Sequence, residues 1–339
     1  MEKIKIGIAG VGHLGKLHLK NLLEQKDAIC SGIFDIDQKK SRSIAEEFKV
    51  KSFNNLDELF KSSDAVIIAT TTSNHYEVGK YALENNLHIF IEKPITSTIE
   101  EAEELIQLAK EKNKFIQVGH IERFNPAILA LEKYEFSPMF IQSDRLSQFN
   151  PRGTDVAVVL DLMIHDIDII LHLVKSEVEK IDANGVAVVS DSIDIANARI
   201  QFKNGCVANV TASRISQKKM RKMRMFQKDA YITIDFLQGL SEIYRLVKPD
   251  EEVLGISYGE IGIGEKRRKV IYEQPEIPEI NAMKYEQELF IKSILQNTPP
   301  VVSGEDGKKA LEVADYIIRL IQENKIMEDK KCKTLKPSL

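Results

Sequence analysis

Two short runs in this chain carry residue types that could do chemistry on a hydroxyl group. One is Glu92-Lys93-Pro94, which closes the apolar run Leu87 to Ile91. Ligands of open α/β sheets bind beyond the carboxyl ends of the strands. A lysine there, held by a rigid proline, can bond a hydroxyl and favour its ionised form. The other run is Asp161-Leu162-Met163-Ile164-His165-Asp166-Ile167-Asp168. On a helix Asp161, His165 and Asp168 share one face. A histidine with an ordinary pKa near ~6.5 is suited to take a hydroxyl proton at neutral pH, and carboxylates can orient the ring. Each run has a plainer reading: a solvated strand-end lysine, and a satisfied, partly buried Asp–His network. No metal is expected, because His172 on the next turn is the nearest second histidine.

The residues that would bring a reactive group to this place lie at the other end of the first domain. Gly10-Val11-Gly12-His13-Leu14-Gly15 fits GxGxxG, follows a strand and opens a helix. Glycines there allow a tight turn and let the backbone N–H groups approach a pyrophosphate. Asp35 stands twenty residues after Gly15, at the end of the second strand. A carboxylate there accepts from the adenosine ribose hydroxyls. It repels a 2′-phosphate, and Ile36 and Asp37 bring no arginine to reverse this, so the expected cofactor is NAD rather than NADP. Thr70 and Ser73 follow the next long apolar strand and are placed on the nicotinamide ribose and pyrophosphate. His75 reads equally as a cofactor contact or a surface histidine. Glu92 and Lys93 complete the cofactor set.

The elements that must position these groups alternate in the first 120 residues. Strands are read at Ile4 to Ala9, Ile29 to Asp35, Val50 to Phe53, Asp64 to Thr70, Leu87 to Ile91 and Phe115 to Val118. Helices lie at His13 to Gln25, with Leu14, Leu17, Leu19, Leu22 and Leu23 as the apolar side, and at Ser41 to Phe48. Two more run from a Ser73 cap to about Asn85 and from Ile99 to Lys112. Such alternation predicts a doubly wound, mostly parallel α/β sheet. Beyond Gly119 the pattern changes: helices at Asn125 to Tyr134 and Val159 to Val174, then six strand-like runs between Ala183 and Val247. Strands without intervening helices imply an antiparallel sheet and an α+β domain. Gly255 to Gly264 reads as a mobile loop, and helices follow near Ala282 to Leu295 and Glu305 to Gln322. The division expected is 1–120 for the NAD-binding Rossmann domain, 121–327 for a substrate-binding and oligomerisation domain, and 328–339 for a polar tail.

The chain has 339 residues and a net charge of -4. That charge gives no general attraction to nucleic acid or to an anionic membrane. No apolar run approaches the roughly 20 residues of a membrane span. The N-terminal Met1-Glu2-Lys3-Ile4 shows no signal-peptide pattern, and Cys30, Cys206 and Cys332 have no metal-ligand spacing. Free thiols in a cytoplasmic protein are expected.

The glycine fingerprint, Asp35, Glu92-Lys93-Pro94 and Asp161-x-x-x-His165, in this order and spacing, resemble the Gfo/Idh/MocA oxidoreductase family over essentially the whole chain. The resemblance implies Lys93, Asp161 and His165 as catalytic residues, leaves the Lys93–Pro94 bond open to cis or trans, and implies an open sheet used for assembly into a homo-oligomer, a dimer or tetramer. The chain departs from the family with Thr71 where proline is usual. It also has Gly119-His120-Ile121-Glu122-Arg123-Phe124-Asn125-Pro126 where an Asn-Arg-Arg-Phe run is usual, keeping only Arg123 and Phe124. This form looks like the branch that includes UDP-N-acetylglucosamine 3-dehydrogenases, which act before an aminotransferase.

Six of the eleven residues from Arg214 to Arg224 are basic and none is acidic. They suit a diphosphate or, for the lysines, a guarded sheet edge. Arg123, Asn125, Arg152 and Arg214 join Asp161 and His165 as substrate-site candidates. The function expected is NAD-dependent oxidation of a sugar hydroxyl, the 3-hydroxyl of a UDP-linked N-acetylamino sugar. Rival readings are a dehydrogenase of a free polyol, inositol or simple sugar, and a redox sensor that holds NAD without turnover.

Overall fold

The computed structural model describes residues 3–150, 156–253 and 255–334, with side chains as far as Lys325. The chain divides into two units. The first holds residues up to Phe124 together with Ile280–Glu312; the second holds Asn125–Glu279 and the segment from Val313.

The first unit is built on five parallel strands: β1 (Ile4–Ala9), β2 (Ala28–Phe34), β3 (Ala65–Ile68), β4 (His88–Glu92) and β5 (Ile116–Gly119). Their order is β2-β1-β3-β4-β5, and every pair is parallel. The order reverses at β1 and β3, so the crevice for a ligand opens beyond Ala9 and Ile68. β3 is buried at all four positions, as a strand covered on both faces must be. Helices α1 (His13–Leu22), α2 (Gln38–Phe48), α3 (Leu56–Lys61), α4 (His75–Glu84) and α5 (Ile99–Glu111) connect the strands. Thr98 and Glu101 form a reciprocal capping box that starts α5.

Several expectations change here. Val50 to Phe53 is not a strand; it contributes a single bridge, Ile33 to Ser52. Of the five leucines assigned to one side of α1, Leu19 and Leu22 are buried while Leu14, Leu17 and Leu23 are substantially exposed. His18 is buried in their place. Ser73 does not cap α4, whose N-cap is Asn74.

Residues 280–312, expected in the second domain, belong to the first. Phe290 and Ile291 of α8 (Ala282–Gln296) join the core formed by Ile6, Ile8, Leu19, Leu22 and Phe90. Val118 N donates to Val302 O at 3.0 Å, so this segment closes the β5 edge. The pattern of α8 could not show which sheet it would cover.

The second unit is a nine-stranded sheet in the order β13-β14-β12-β11-β10-β6-β9-β8-β7. Its strands are β6 (Phe140–Leu146), β7 (Val178–Val186), β8 (Ile195–Phe202), β9 (Val207–Ser213), β10 (Met220–Phe226), β11 (Ala230–Asp235), β12 (Leu240–Val247), β13 (Ile256–Ile261) and β14 (Arg268–Glu273). All pairs are antiparallel except β6 with β9. The expected loop from Gly255 to Gly264 contains the hairpin strand β13. The expected helix from Asn125 shrinks to α6 (Pro126–Leu129). The helix from Val159 begins as a π turn, Val159–Met163, and continues as α7 (Ile164–Val174). The last helix, α9 (Gly304–Thr334), continues past the expected start of the tail at 328.

The basic strand β10 is the fifth of nine strands, so the sheet-edge reading fails. Lys222 pairs instead with Asp235 on β11 at 3.1 Å. Met223 and Met225 on the opposite face of β10 are buried.

Candidate active site

The turn after β1 is made for close approach. Gly10 has φ +88°, and a Cβ there would meet the Ala69 carbonyl oxygen at 2.7 Å. Its N–H is bonded to Phe34 O at 2.8 Å. A Cβ on Gly15 would sit 1.9 Å from Gly10 O, whereas one on Gly12 would meet nothing within 4 Å. Gly10 and Gly15 therefore permit the turn itself, and Gly12 leaves open space in front of it. No side chain caps α1, and its first turn holds no acid. His13 and Leu14, which open the helix, are exposed. The free N–H groups and positive helix end fit a pyrophosphate.

Asp35 is buried at 6% exposure. Its Oδ2 accepts from Val11 N at 2.8 Å and its Oδ1 from Asp37 N at 3.0 Å. Lys40 Nζ lies 2.8 Å from Oδ2. Burial works against the charge, but Lys40 and the two N–H groups outweigh it and hold the carboxyl below its usual pKa. Three donors on about four acceptor positions leave room for a ribose hydroxyl. The residues present thus fit a dinucleotide. Lys40 was missed in the sequence because its approach to Asp35 depends on where α2 starts.

Thr70 is half-buried and Ser73 exposed, with Ser73 Oγ 3.1 Å from Thr71 Oγ1. His75 is not a surface histidine. It is 1% exposed, with Nδ1 2.9 Å from Pro94 O and Nε2 3.3 Å from Thr70 O. Burial pushes its pKa below the ordinary value, against the opposing pull of these carbonyls. His75 thus lies between the Lys93–Pro94 turn and the end of β3, and its neutral ring can donate to one of these two carbonyls. The Lys93–Pro94 peptide bond, whose isomer the sequence left open, is cis.

Lys93 is half-buried directly beyond β4. Glu92 beside it is 8% exposed, and its Oε1 lies 2.7 Å from Nε2 of the fully buried His18. Burial raises the Glu92 carboxyl, but the His18 hydrogen bond and nearby positive charge win, so it lies below the usual glutamate pKa. His18 was not among the expected site residues. Its one signal was spacing: it shares the buried side of α1 with Gly15, Leu19 and Leu22.

In the second unit Asp161 lies in the π turn and His165 in the first turn of α7, both half-buried. π turns inserted in helices are frequent at functional sites. Asp168, expected on the same face, is 1% exposed. Asp166, one residue after His165, is held by Arg145 at 2.7 and 3.0 Å.

Two substrate candidates have structural work instead. Asn125 caps α6 by accepting from Ala127 N at 3.1 Å and donates to Phe236 O at 3.1 Å. Arg214 is 5% exposed; its Nη2 donates to Val156 O and, at 2.9 Å, to Ile193 O, and its Nε is 3.5 Å from Asp194. It braces the backbone at Val156 and Ile193. Arg123 is 7% exposed and lies 3.8 Å from Asp306. Arg152 lies outside the described residues.

A family model described as "Oxidoreductase family, NAD-binding Rossmann fold" matches residues 4–120. One described as "GFO/IDH/MocA C-terminal domain" matches residues 137–233. The chain belongs to the Gfo/Idh/MocA oxidoreductase family. Within it, the chain is 36% identical over 318 residues to a UDP-N-acetylglucosamine 3-dehydrogenase of Acidithiobacillus ferrooxidans, covering 93% of this chain and 96% of that protein. A solved structure of that dehydrogenase superposes with a TM-score of 0.85 at 33% identity, covering 95% of this chain and 99% of the other. A myo-inositol 2-dehydrogenase of Thermotoga maritima is 25% identical over 335 residues, covering 91% and 93%. Membership makes this chain an oxidoreductase with a Rossmann domain for an NAD-type cofactor. Among the described residues, no helix is long and apolar enough to cross a membrane.

Proposed function

We propose that this enzyme oxidises the 3-hydroxyl of a UDP-linked N-acetylamino sugar, with NAD rather than NADP. The observation that carries the reading is the 36% identity, over nearly the full length of both chains, to a UDP-N-acetylglucosamine 3-dehydrogenase. The inositol dehydrogenase is a more distant relative, and a free polyol is the second reading.

In this reading Lys93 donates a hydrogen bond to the reacting hydroxyl and stabilises its oxygen as negative charge develops. His165 takes the hydroxyl proton, and Asp161 orients its ring or binds a neighbouring hydroxyl. Bound NAD accepts the hydride. Asp35 holds the adenosine ribose, and its retained negative charge disfavours a 2′-phosphate. Arg123 and Arg152 remain assigned to the diphosphate; Arg214 and Asn125 are withdrawn. The ketone product is a substrate suited to an aminotransferase.

Assembly into a homo-oligomer is part of the reading. Phe140, Phe226, Tyr231, Tyr244, Tyr272 and Tyr258 form a ladder of rings across six strands on one face of the second unit's sheet, with neighbouring centroids 4.7 to 6.0 Å apart. Phe226 is 41% and Tyr258 69% exposed, and apolar patches of this kind mark association surfaces. Half-buried Cys30 and buried Cys206 are free thiols, and burial raises the pKa of each to about 11; a cytoplasmic location remains part of the reading.

The test is incubation with NAD and UDP-N-acetylglucosamine, with and without an aminotransferase and amino donor, followed by mass spectrometry. A keto or amino sugar nucleotide is expected, and K93M and H165A should lower turnover by roughly 100- to 10,000-fold with NAD binding retained. Normal turnover in both variants contradicts the mechanism. Turnover of inositol alone favours the second reading.

A further inference from the structure

His18, Glu92 and Gln287 form a buried chain that leads from the core of the first unit to Lys93. Gln287 Nε2 lies 2.9 Å from His18 Nδ1 and donates to His18 O at 3.1 Å. A carbonyl accepts only, so it fixes the amide with its NH₂ group toward His18. Nδ1 must then accept, and the single proton of the neutral ring sits on Nε2. Nε2 faces Glu92 Oε1 at 2.7 Å. The other carboxylate oxygen, Oε2, accepts from Lys93 N at 3.3 Å. Phe90 holds the His18 ring edge-on at 5.1 Å. Gly119 on β5 leaves room for the carboxylate, since a Cβ there would come within 3.0 Å of Oε2.

We propose that His18 is a positioning residue for Lys93, acting through Glu92: its Nε2–H holds the carboxylate in place beside the lysine. The inference rests on the catalytic reading of Lys93 given above. The groups that face Glu92 are His18 from α1, Lys93 in the following turn and, by its charge interaction, His75 from α4. Burial lowers the His75 pKa, while His18 and then Lys93 hold the Glu92 carboxyl below its usual pKa. Removing the His18 donor leaves a buried carboxylate short of a hydrogen bond. Such a group takes up a proton more readily, and the lysine loses that neighbouring negative charge.

Five variants separate this role from simple packing: H18L, H18N, H18Q, E92Q and H18L/E92Q. Gln can place an N–H where Nε2 stands, whereas Asn is too short, so the amide pair contrasts reach at similar polarity. The first readout needs no substrate. Competitive acetylation of Lys93 against pH, followed by mass spectrometry, gives its apparent pKa. Lys93 should titrate about 1 pH unit lower in H18L, H18N and E92Q than in wild type or H18Q.

The second readout is kinetic. The kcat of H18L should fall about tenfold with the NAD dissociation constant unchanged, and H18L should cost nothing further in the E92Q background. An unchanged Lys93 titration in both H18L and H18N overturns the proposal, as does a full additional loss in the double variant. K93M tests the underlying reading separately. If K93M turns over normally, the catalytic role of Lys93 falls and this inference falls with it. If K93M is inactive while the His18 variants titrate and react as wild type, this inference alone fails.

Discussion

Arg145 and Asp166 form a two-point ion pair inside the second unit. Arg145 Nε lies 2.7 Å from Oδ2 and Nη2 3.0 Å from Oδ1, and both side chains are 2% exposed. The Phe236 ring lies 5.7 Å from the guanidinium. The pair joins β6 to α7, one residue from His165, and so sets the rotation of the helix that carries the proposed base.

Breaking that pair on one side leaves a buried guanidinium without its two-point carboxylate partner. D166A should therefore destabilise the protein by about 3–5 kcal/mol, measured by urea unfolding. R145M/D166L, which removes both charges, should cost clearly less. Equal losses in the two variants would show that packing and not charge is at stake.

The fingerprint glycines should separate folding from cofactor binding. G15A places a methyl against Gly10 O and should cost about 1–3 kcal/mol. G12A meets open space and should fold normally, yet weaken NAD at least about tenfold because the methyl stands where the cofactor must approach. Thermal melts and calorimetric NAD titration decide both points.

Cofactor choice should depend on Asp35. Replacing it with serine removes the charge that disfavours a 2′-phosphate, while Lys40, now unopposed, can attract one. D35S should weaken NAD and improve NADP, seen as a reversal in the ratio of kcat/KM values. An unchanged ratio would show that the preference lies elsewhere.

His88 should shape the acid side of the stability curve. Burial, and then the charge of Lys114, push its pKa down to about 4 from 6.5. Between those values the unfolded chain binds more protons than the folded one, so stability rises with pH and is lost as pH falls through this window. His88 Nδ1 accepts from Phe115 N at 3.1 Å. H88N can keep that acceptor without titrating, and its stability should vary less between pH ~6.5 and about 4, by denaturant titration.

Charge in the aromatic ladder should break the proposed assembly. F226D and Y258D should lower the mass measured by light scattering to that of a single chain. A monomeric wild type would remove the oligomer from the reading.

The first unit was legible strand by strand because both of its periodicities are local. β1 was read to the residue, and β2, β4 and β5 to within a residue or two, since buried parallel strands leave apolar runs between turn residues. The short pairing at Ser52 was overread as a strand because Val50 and Phe53 flank two polar residues in a stretch that resembles one. β13 was missed for another reason: all its residues are exposed, and Gly259 with the flanking Gly255, Gly262 and Gly264 mimics a loop. The backbone bonds of Arg214 and Asn125 were not legible, because a sequence does not show when an arginine or asparagine is needed to satisfy buried backbone.

What the sequence determined by itself was the order of the chemistry: a dinucleotide turn, an acid twenty residues on, a lysine at a strand end, and an Asp-x-x-x-His helix. These are short-range patterns, and local geometry is enough to give them meaning. The tertiary structure decided which elements brace them. Gln287 is 269 residues from His18, and Val302 closes the edge at Val118 from a segment assigned to another domain. No spacing rule links such residues. They meet because one hydrophobic core must be filled by whichever helix reaches it, and the polar groups buried there must find partners where the packing leaves them.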